Sequence, residues 1–190
     1  MTEQGSSLPE LSFGGEYFAA KPKRFQEIVV LVPFFKARKS QMLRHANFLN
    51  EIGFDAVVFD LKFDLTDTAF FSPDSKFGMK HVWASQIEKI LSELPGRKIL
   101  YAFSNPSASA IEAAANREGF GIAGLICDSG PSGRLQESMM NYYRYEEPLY
   151  FWPFRMIAAW TGTLLWSPQF LTAIHEDLSR LPAGFPILSI

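Results

Sequence analysis

The chain has 190 residues with 18 Lys and Arg against 20 Asp and Glu, a net charge of −2, and 47% hydrophobic residues of which an unusual share is aromatic. That composition fits one globular domain large enough to need no metal or disulfide, and it excludes a disordered chain. A slightly acidic balance leaves no electrostatic footprint for nucleic acid, and the cluster Lys21, Lys23, Arg24 is expected to be a solvated loop.

The single cysteine, Cys127, excludes an intramolecular disulfide framework and suits a reducing compartment, so a cytoplasmic location is expected. The polar start, residues 1–11, shows no signal peptide.

Short apolar runs alternate with amphipathic stretches. Ile28 to Val32 is a β-branched run that predicts a buried strand. Met42, Leu43, Ala46, Leu49 and Ile52 then share one helical face, with Ser40 as the expected N-cap and Gly53 as the stop. Residues 56–61 predict a second strand, followed by a polar loop over 62–80. The acidic run Asp60, Asp64, Asp67 is expected to be a solvated loop.

Trp83, Ile87, Ile90, Leu91 and Leu94 form the next helical stripe, ended by Pro95-Gly96. Residues 98–103 predict a third strand, 105–118 a helix with Ala108, Ile111, Ala114 and Ala115 inward, and 122–127 a fourth strand. Strands joined through helices of this length require crossovers, so the fold class is α/β, with a mainly parallel sheet and helices on both faces. Residues 16–19 add an antiparallel edge.

Residues 136–181 break the pattern with an aromatic-rich insertion that includes Tyr142, Tyr143, Tyr145, Tyr150, Trp152, Trp160 and Trp166. Only 156–166 is cleanly apolar there, too short to span a bilayer of about 30 Å, so an interfacial or cap helix is expected, with membrane-surface contact as one use. The reading therefore divides into a core over 1–135, a cap over 136–181 and a return to the core over 182–190. The last piece is a buried strand between Phe185 and Ile190, in which the chain stops. A bare central edge invites pairing with a second copy or a further segment.

In parallel sheets, sites lie beyond the carboxyl ends of the strands. Tyr101-Ala102-Phe103-Ser104-Asn105-Pro106-Ser107-Ala108 reads as strand, sharp turn and helix, the context of a nucleophile elbow. There the N–H of Asn105 and the helix N-terminus point at a developing oxyanion. Ser104 has a second reading as a plain helix N-cap.

Several pieces in order resemble the α/β-hydrolase superfamily across residues 28–190. Val32-Pro33-Phe34-Phe35 is similar to the family's oxyanion loop, Val57-Val58-Phe59-Asp60-Leu61 to its fourth strand, Phe103-Ser104-Asn105 to the elbow, and Cys127-Asp128-Ser129-Gly130-Pro131 to the end of its sixth strand. A little-characterised branch reads F-S-N-G-G and D-S-A-P-G at the last two places. The resemblance implies Ser104 as nucleophile, with Asn105 and Phe34 or Phe35 as backbone oxyanion donors. It further implies the insertion as a cap over an apolar acyl substrate, with Tyr150, Trp152 and Trp160 as its substrate-binding candidates.

Pro33 stands where the family has histidine, and Ala102, Pro106 and Ser107 where it has elbow glycines. The family's acid and histidine follow the strand that begins at Phe185, hence beyond Ile190. His45, His81 and His175 do not match the base, and each reads as structural. Asp128 is a candidate acid whose plainer role is to cap a turn.

Two functions are carried forward. One is an esterase, lipase or thioesterase-like serine hydrolase that is nearly inert as this 190-residue piece. The other is a non-catalytic hydrolase-like module that binds through its aromatic segment. No metal or cofactor is expected, since the Cys and His residues never fall at ligand spacing and the turn after Val32 has no phosphate-cradling glycine.

Overall fold

The computed structural model describes residues 10–63, 77–131 and 133–190. Six strands form one sheet: β1 Glu16–Phe18, β2 Ile28–Val32, β3 Asp55–Val58, β4 Lys98–Phe103, β5 Ile122–Asp128 and β6 Ile187–Ser189. Their order is β1-β3-β2-β4-β5-β6, with β1 antiparallel and every other pairing parallel. The helices are α1 Lys39–Ile52, α2 Met79–Glu93, α3 Ser107–Asn116, α4 Leu135–Tyr145, α5 Trp152–Trp166 and α6 Phe170–Arg180.

Alternate strand residues face opposite layers. Val30, Val32, Leu100, Ala102, Leu125 and Cys127 pack with α2 and α3 in one core. Val29, Leu31, Ala56, Val58 and Phe103 pack with Met42, Ala46 and Leu49 of α1 in another. The α/β class with helices on both faces is thus observed. A third apolar cluster joins Met79, Val82 and Trp83 of α2 to Leu135 and Met139 of α4 and to Ala159 and Trp166 of α5.

Local details depart from the sequence reading. Helix α1 begins at Lys39, so Ser40 is inside it and exposed rather than its N-cap. The free Lys39 N–H donates to Asp60 Oδ1 at 2.7 Å instead, so Asp60 is a capping carboxylate and not a solvated one. Asp64 and Asp67 lie outside the described residues. Strand β3 ends at Val58, because Asp60 turns out of the ladder to receive α1 and to donate its own N–H to Phe13 O. Gly53 does end α1, in the left-handed region at φ 105°.

The loop expected over 62–80 gives way to α2 at Met79, since Met79, Lys80, His81 and Val82 are all buried. The basic cluster Lys21, Lys23, Arg24 is the exposed loop expected of it, with Lys23 also paired to the buried Asp55 carboxylate at 2.6 Å and the Arg24 stem lying on Gly53. Strand β6 is three residues long and exposed, not buried, because among the described residues no strand pairs with its outer edge.

Buried charge holds α6 to the other helices. Lys80 is fully buried between Asp177 of α6 at 2.5 Å and Glu112 of α3, an ionic contact of 2.8 Å. His81 Nδ1 lies 2.6 Å from the other Glu112 oxygen, and Arg180 reaches Asp177. Burial alone raises the Glu112 pKa, but the hydrogen bonds and charges of His81 and Lys80 outweigh it and bring the carboxyl down to about 2. Its folded pKa is below its ordinary 4.5, so this stabilisation is complete above about pH 4.5 and is lost as pH falls through about 2. Urea midpoints measured from pH 5 to 2 should fall steeply in the wild type and less so in Glu112→Gln.

Candidate active site

Between the last residue of β4 and the first of α3 the chain has three residues in which to reverse, and this forces the turn. Ser104 takes φ 57°, a left-handed conformation that a non-glycine residue adopts only where its surroundings hold it. The restraints are specific: Ser104 N–H donates to Asp128 O at 2.8 Å, Ser107 N–H to Ser104 O at 3.0 Å, and Ala108 N–H to Asn105 O at 3.0 Å. Ala102 and Ser107 are fully buried, and the Ser107 hydroxyl donates to Ala102 O at 3.2 Å.

Gly130 completes the restraint, because a Cβ there would come within 2.2 Å of the Ser104 carbonyl oxygen. The loop after β5 therefore lies directly on the elbow. The N-cap position of α3 is Pro106, with no side-chain cap. Among the described residues the Ser104 hydroxyl has no hydrogen-bond partner, so it does not cap the helix.

The parallel register pairs Val32 with Ala102, which sets Phe34 and Ser104, two residues beyond each, at the same end of adjacent strands. Neighbouring strands lie about 4.8 Å apart. Phe34 to Ala37 form a tight turn closed by Ala37 N–H to Phe34 O at 2.9 Å, with Lys36 left-handed at φ 61°. Among the described residues the backbone N–H groups of Asn105, Phe34 and Phe35 donate to no acceptor. Lys36 ties this turn to the insertion through Tyr142 Oη at 2.7 Å and Glu147 Oε1 at 2.8 Å. Those two hydrogen bonds push its pKa further above the ordinary lysine value.

Asp128 ends β5 opposite Phe103. Its carboxylate receives the hydroxyls of Ser129 at 2.8 Å and Tyr101 at 3.3 Å, and burial together with this carboxylate raises the Tyr101 pKa. None of the histidines hydrogen-bonds Ser104 or Asp128. His45 packs its ring on Phe103 with centroids 4.8 Å apart, His81 is on Glu112, and His175 is exposed on α6.

An apolar cavity of about 120 Å3 opens on the insertion side of Phe35, lined with it by Met79, Met139, Tyr143, Leu165 and Trp166. Tyr150, Trp152 and Trp160 do not line it and are exposed. Among the described residues no group of three or more His, Cys, Asp or Glu side chains is placed to hold a metal.

No protein-family model matches the chain, and no curated protein does. Solved structures do. A carboxylesterase structure from Nitrososphaera gargenis superposes with a TM-score of 0.57 at 11% identity, covering 92% of this chain and 74% of the other. Alpha/beta hydrolase domain-containing protein 10 from mouse gives 0.55 at 13%, covering 92% and 70%, and a bromoperoxidase from Bacillus anthracis gives 0.54 at 12%, covering 92% and 75%.

The chain has the α/β-hydrolase fold.

Within this hydrolase fold the structure brings together Ser104, Asn105, Phe34, Phe35 and the Asp128 backbone, all at the carboxyl ends of β2, β4 and β5. It places Tyr150, Trp152 and Trp160 elsewhere. The sequence reading missed Gly130 as the residue that admits the elbow, Lys36 as the tie to the insertion, and the cavity wall of Met79, Met139 and Leu165. Only Gly130 left a signal, as a glycine before proline at a strand end in the same run as Asp128.

Proposed function

We propose that the chain is the nucleophile-bearing part of a serine hydrolase that cleaves an apolar ester or thioester. The observation that carries this reading is Ser104 held at φ 57° with an unpartnered hydroxyl, beside the unpartnered N–H groups of Asn105, Phe34 and Phe35. In this reading Ser104 Oγ attacks the acyl carbon and its proton passes to a base, while the carbonyl oxygen takes up the negative charge against those N–H donors. The C–O or C–S bond then breaks, the leaving alkoxide or thiolate takes the proton, and water later releases the acyl group from Ser104.

The cavity behind Phe35 receives the acyl chain. Asp128 is the acid candidate nearest the elbow. The base is provided by polypeptide other than these 190 residues, since no histidine here reaches Ser104. Alone, this piece is then slower by a factor on the order of 10⁴ to 10⁶. We place the protein in a reducing, cytoplasmic compartment, in keeping with its single thiol, Cys127, which burial pushes up to about 11.

A fluorophosphonate probe tests the reading on protein from its native source, followed by intact mass and peptide mapping. The expected result is a label on Ser104 that Ser104→Ala abolishes. A label that survives Ser104→Ala, or none on the native protein, overturns it. The absence of a histidine at Ser104 favours a second reading, a non-catalytic binding module, and the unlabelled outcome would select it.

A further inference from the structure

Helix α5 has two opposed faces. Ala159 and Trp166 are buried on one, and Gly162 and Leu165 line the apolar cavity. Opposite them Phe154, Ile157, Trp160 and Leu164 are exposed at 61, 62, 50 and 50%. Their spacings of three, three and four residues put them on one stripe of a 3.6-residue helix. Phe151, packed edge-on against Phe154, and Tyr150, 89% exposed, extend the apolar surface past the helix start. A continuous apolar surface of this kind marks a site of association.

The chemistry around the stripe identifies the occupant. From residue 148 to 175 the sequence has no acidic side chain, and Arg155 is its only charge. Glu147, just before it, is paired with Lys36. In the flank before it, Arg144 lies over the Tyr145 ring at 5.1 Å and Glu146 is exposed, so the charge there is balanced while the stripe itself carries none. Tyr150, Trp152 and Trp160 combine an apolar body with one polar tip, the pattern of side chains that settle at the lipid headgroup level, while Phe154, Ile157 and Leu164 are purely apolar. A protein interface of ordinary size closes its apolar centre with a polar rim, whereas here the residues interleaved with the stripe are mostly small or apolar and carry one charge, Arg155.

Helix α5 has 15 residues, about 22 Å of helix against a hydrocarbon core of about 30 Å, and no described helix is long and apolar enough to cross a membrane. An amphipathic helix of this kind lies in the interface plane.

We propose that the outer face of α5 docks this chain on the surface of a phospholipid bilayer. The docking itself is independent of Ser104. What it implies for the substrate, an ester lipid drawn from the bilayer into the cavity on the inner side of the same helix, rests on the Ser104 reading.

The test is flotation of the 190-residue chain with vesicles of phosphatidylcholine and phosphatidylglycerol, together with quenching of tryptophan fluorescence by brominated lipid. The wild type should float and be quenched, since Trp152 and Trp160 are exposed whereas Trp83 and Trp166 are only 2% exposed. Phe154→Asp/Ile157→Asp should lower partitioning at least tenfold with an unchanged thermal midpoint. Ser104→Ala should bind vesicles like the wild type, so loss of the nucleophile reading would leave this result standing, and an intact Ser104 label without vesicle binding would sink only the docking. The proposal is overturned if the folded wild type fails to float with these vesicles. It is equally overturned if the chain forms a dimer that Phe154→Asp/Ile157→Asp disperses, since the face would then belong to a second copy.

Discussion

Replacing Lys80 with methionine should lower the free energy of unfolding by about 3–5 kcal/mol, because it removes the shared cation of a buried charge cluster and leaves two buried carboxylates only partly compensated. Lys80 is fully buried and touches Glu112 and Asp177, which are 4% and 1% exposed at their side chains. With the ammonium gone, Asp177 keeps Arg180 and Glu112 keeps His81, but neither replaces a cation placed between both carboxylates. At about 2–4 °C per kcal/mol for a chain of this size, the thermal midpoint should fall by about 10 °C.

The triple variant Lys80→Met/Glu112→Leu/Asp177→Leu separates charge from packing. Replacing a whole buried ionic group by apolar side chains of similar volume is often close to neutral, so the triple variant should recover most of the loss. If Lys80→Met and the triple variant melt together, the cluster acts through packing and the electrostatic account is wrong. Because Asp177 belongs to α6 and Glu112 to α3, Lys80→Met alone should expose α6 to proteolysis before the sheet.

Gly130→Ala should cost about 3 kcal/mol and remove probe labelling at Ser104 in the same step. The added Cβ would meet Ser104 O at 2.2 Å, Ser104 C at 2.6 Å and Ser104 Cα at 3.0 Å, all backbone atoms. They cannot withdraw cheaply, since Ser104 N–H is fixed on Asp128 O and Ser104 O on Ser107 N–H. Overpacking into backbone of this kind typically costs 1–3 kcal/mol, roughly a 6–12 °C loss at its upper end. Gly96→Ala is the control: it has the same added methyl at φ 67° with nothing within 4 Å, so it carries the conformational cost of about 1 kcal/mol alone. Equal midpoints for the two variants would mean that the contact between the β5 loop and the elbow does not constrain Ser104.

Much of the scaffold was legible because its signals are local. The β-branched run of β2 and the apolar run of β4 fix their own limits, Ile28–Val32 and Lys98–Phe103, since buried parallel strands need unbroken apolar sequence. Gly53 marks the end of α1 because a left-handed C-cap favours glycine. The elbow was visible as a strand, a serine and a helix within eleven residues. What the sequence reading placed wrongly was decided at longer range. Lys80 looks like a loop residue until Glu112 and Asp177, far along the chain, compensate it. Asp60 looks solvated until Lys39 arrives to be capped. Tyr150, Trp152 and Trp160, which the resemblance implies as substrate contacts, are exposed, and for Trp152 and Trp160 that side of α5 is set by helix phase and docking rather than by residue type.

The sequence alone determined the α/β class, the parallel crossover grammar and the position of Ser104 between strand and helix, because each is written in residues within one or two turns of one another. Only the tertiary structure decided that Phe34 and Phe35 stand level with Ser104, that Gly130 must be glycine, and that Phe35, Met79, Met139 and Leu165 enclose one cavity. These depend on strand register and helix docking, and register is a property of two strands together that neither strand's residues specify alone.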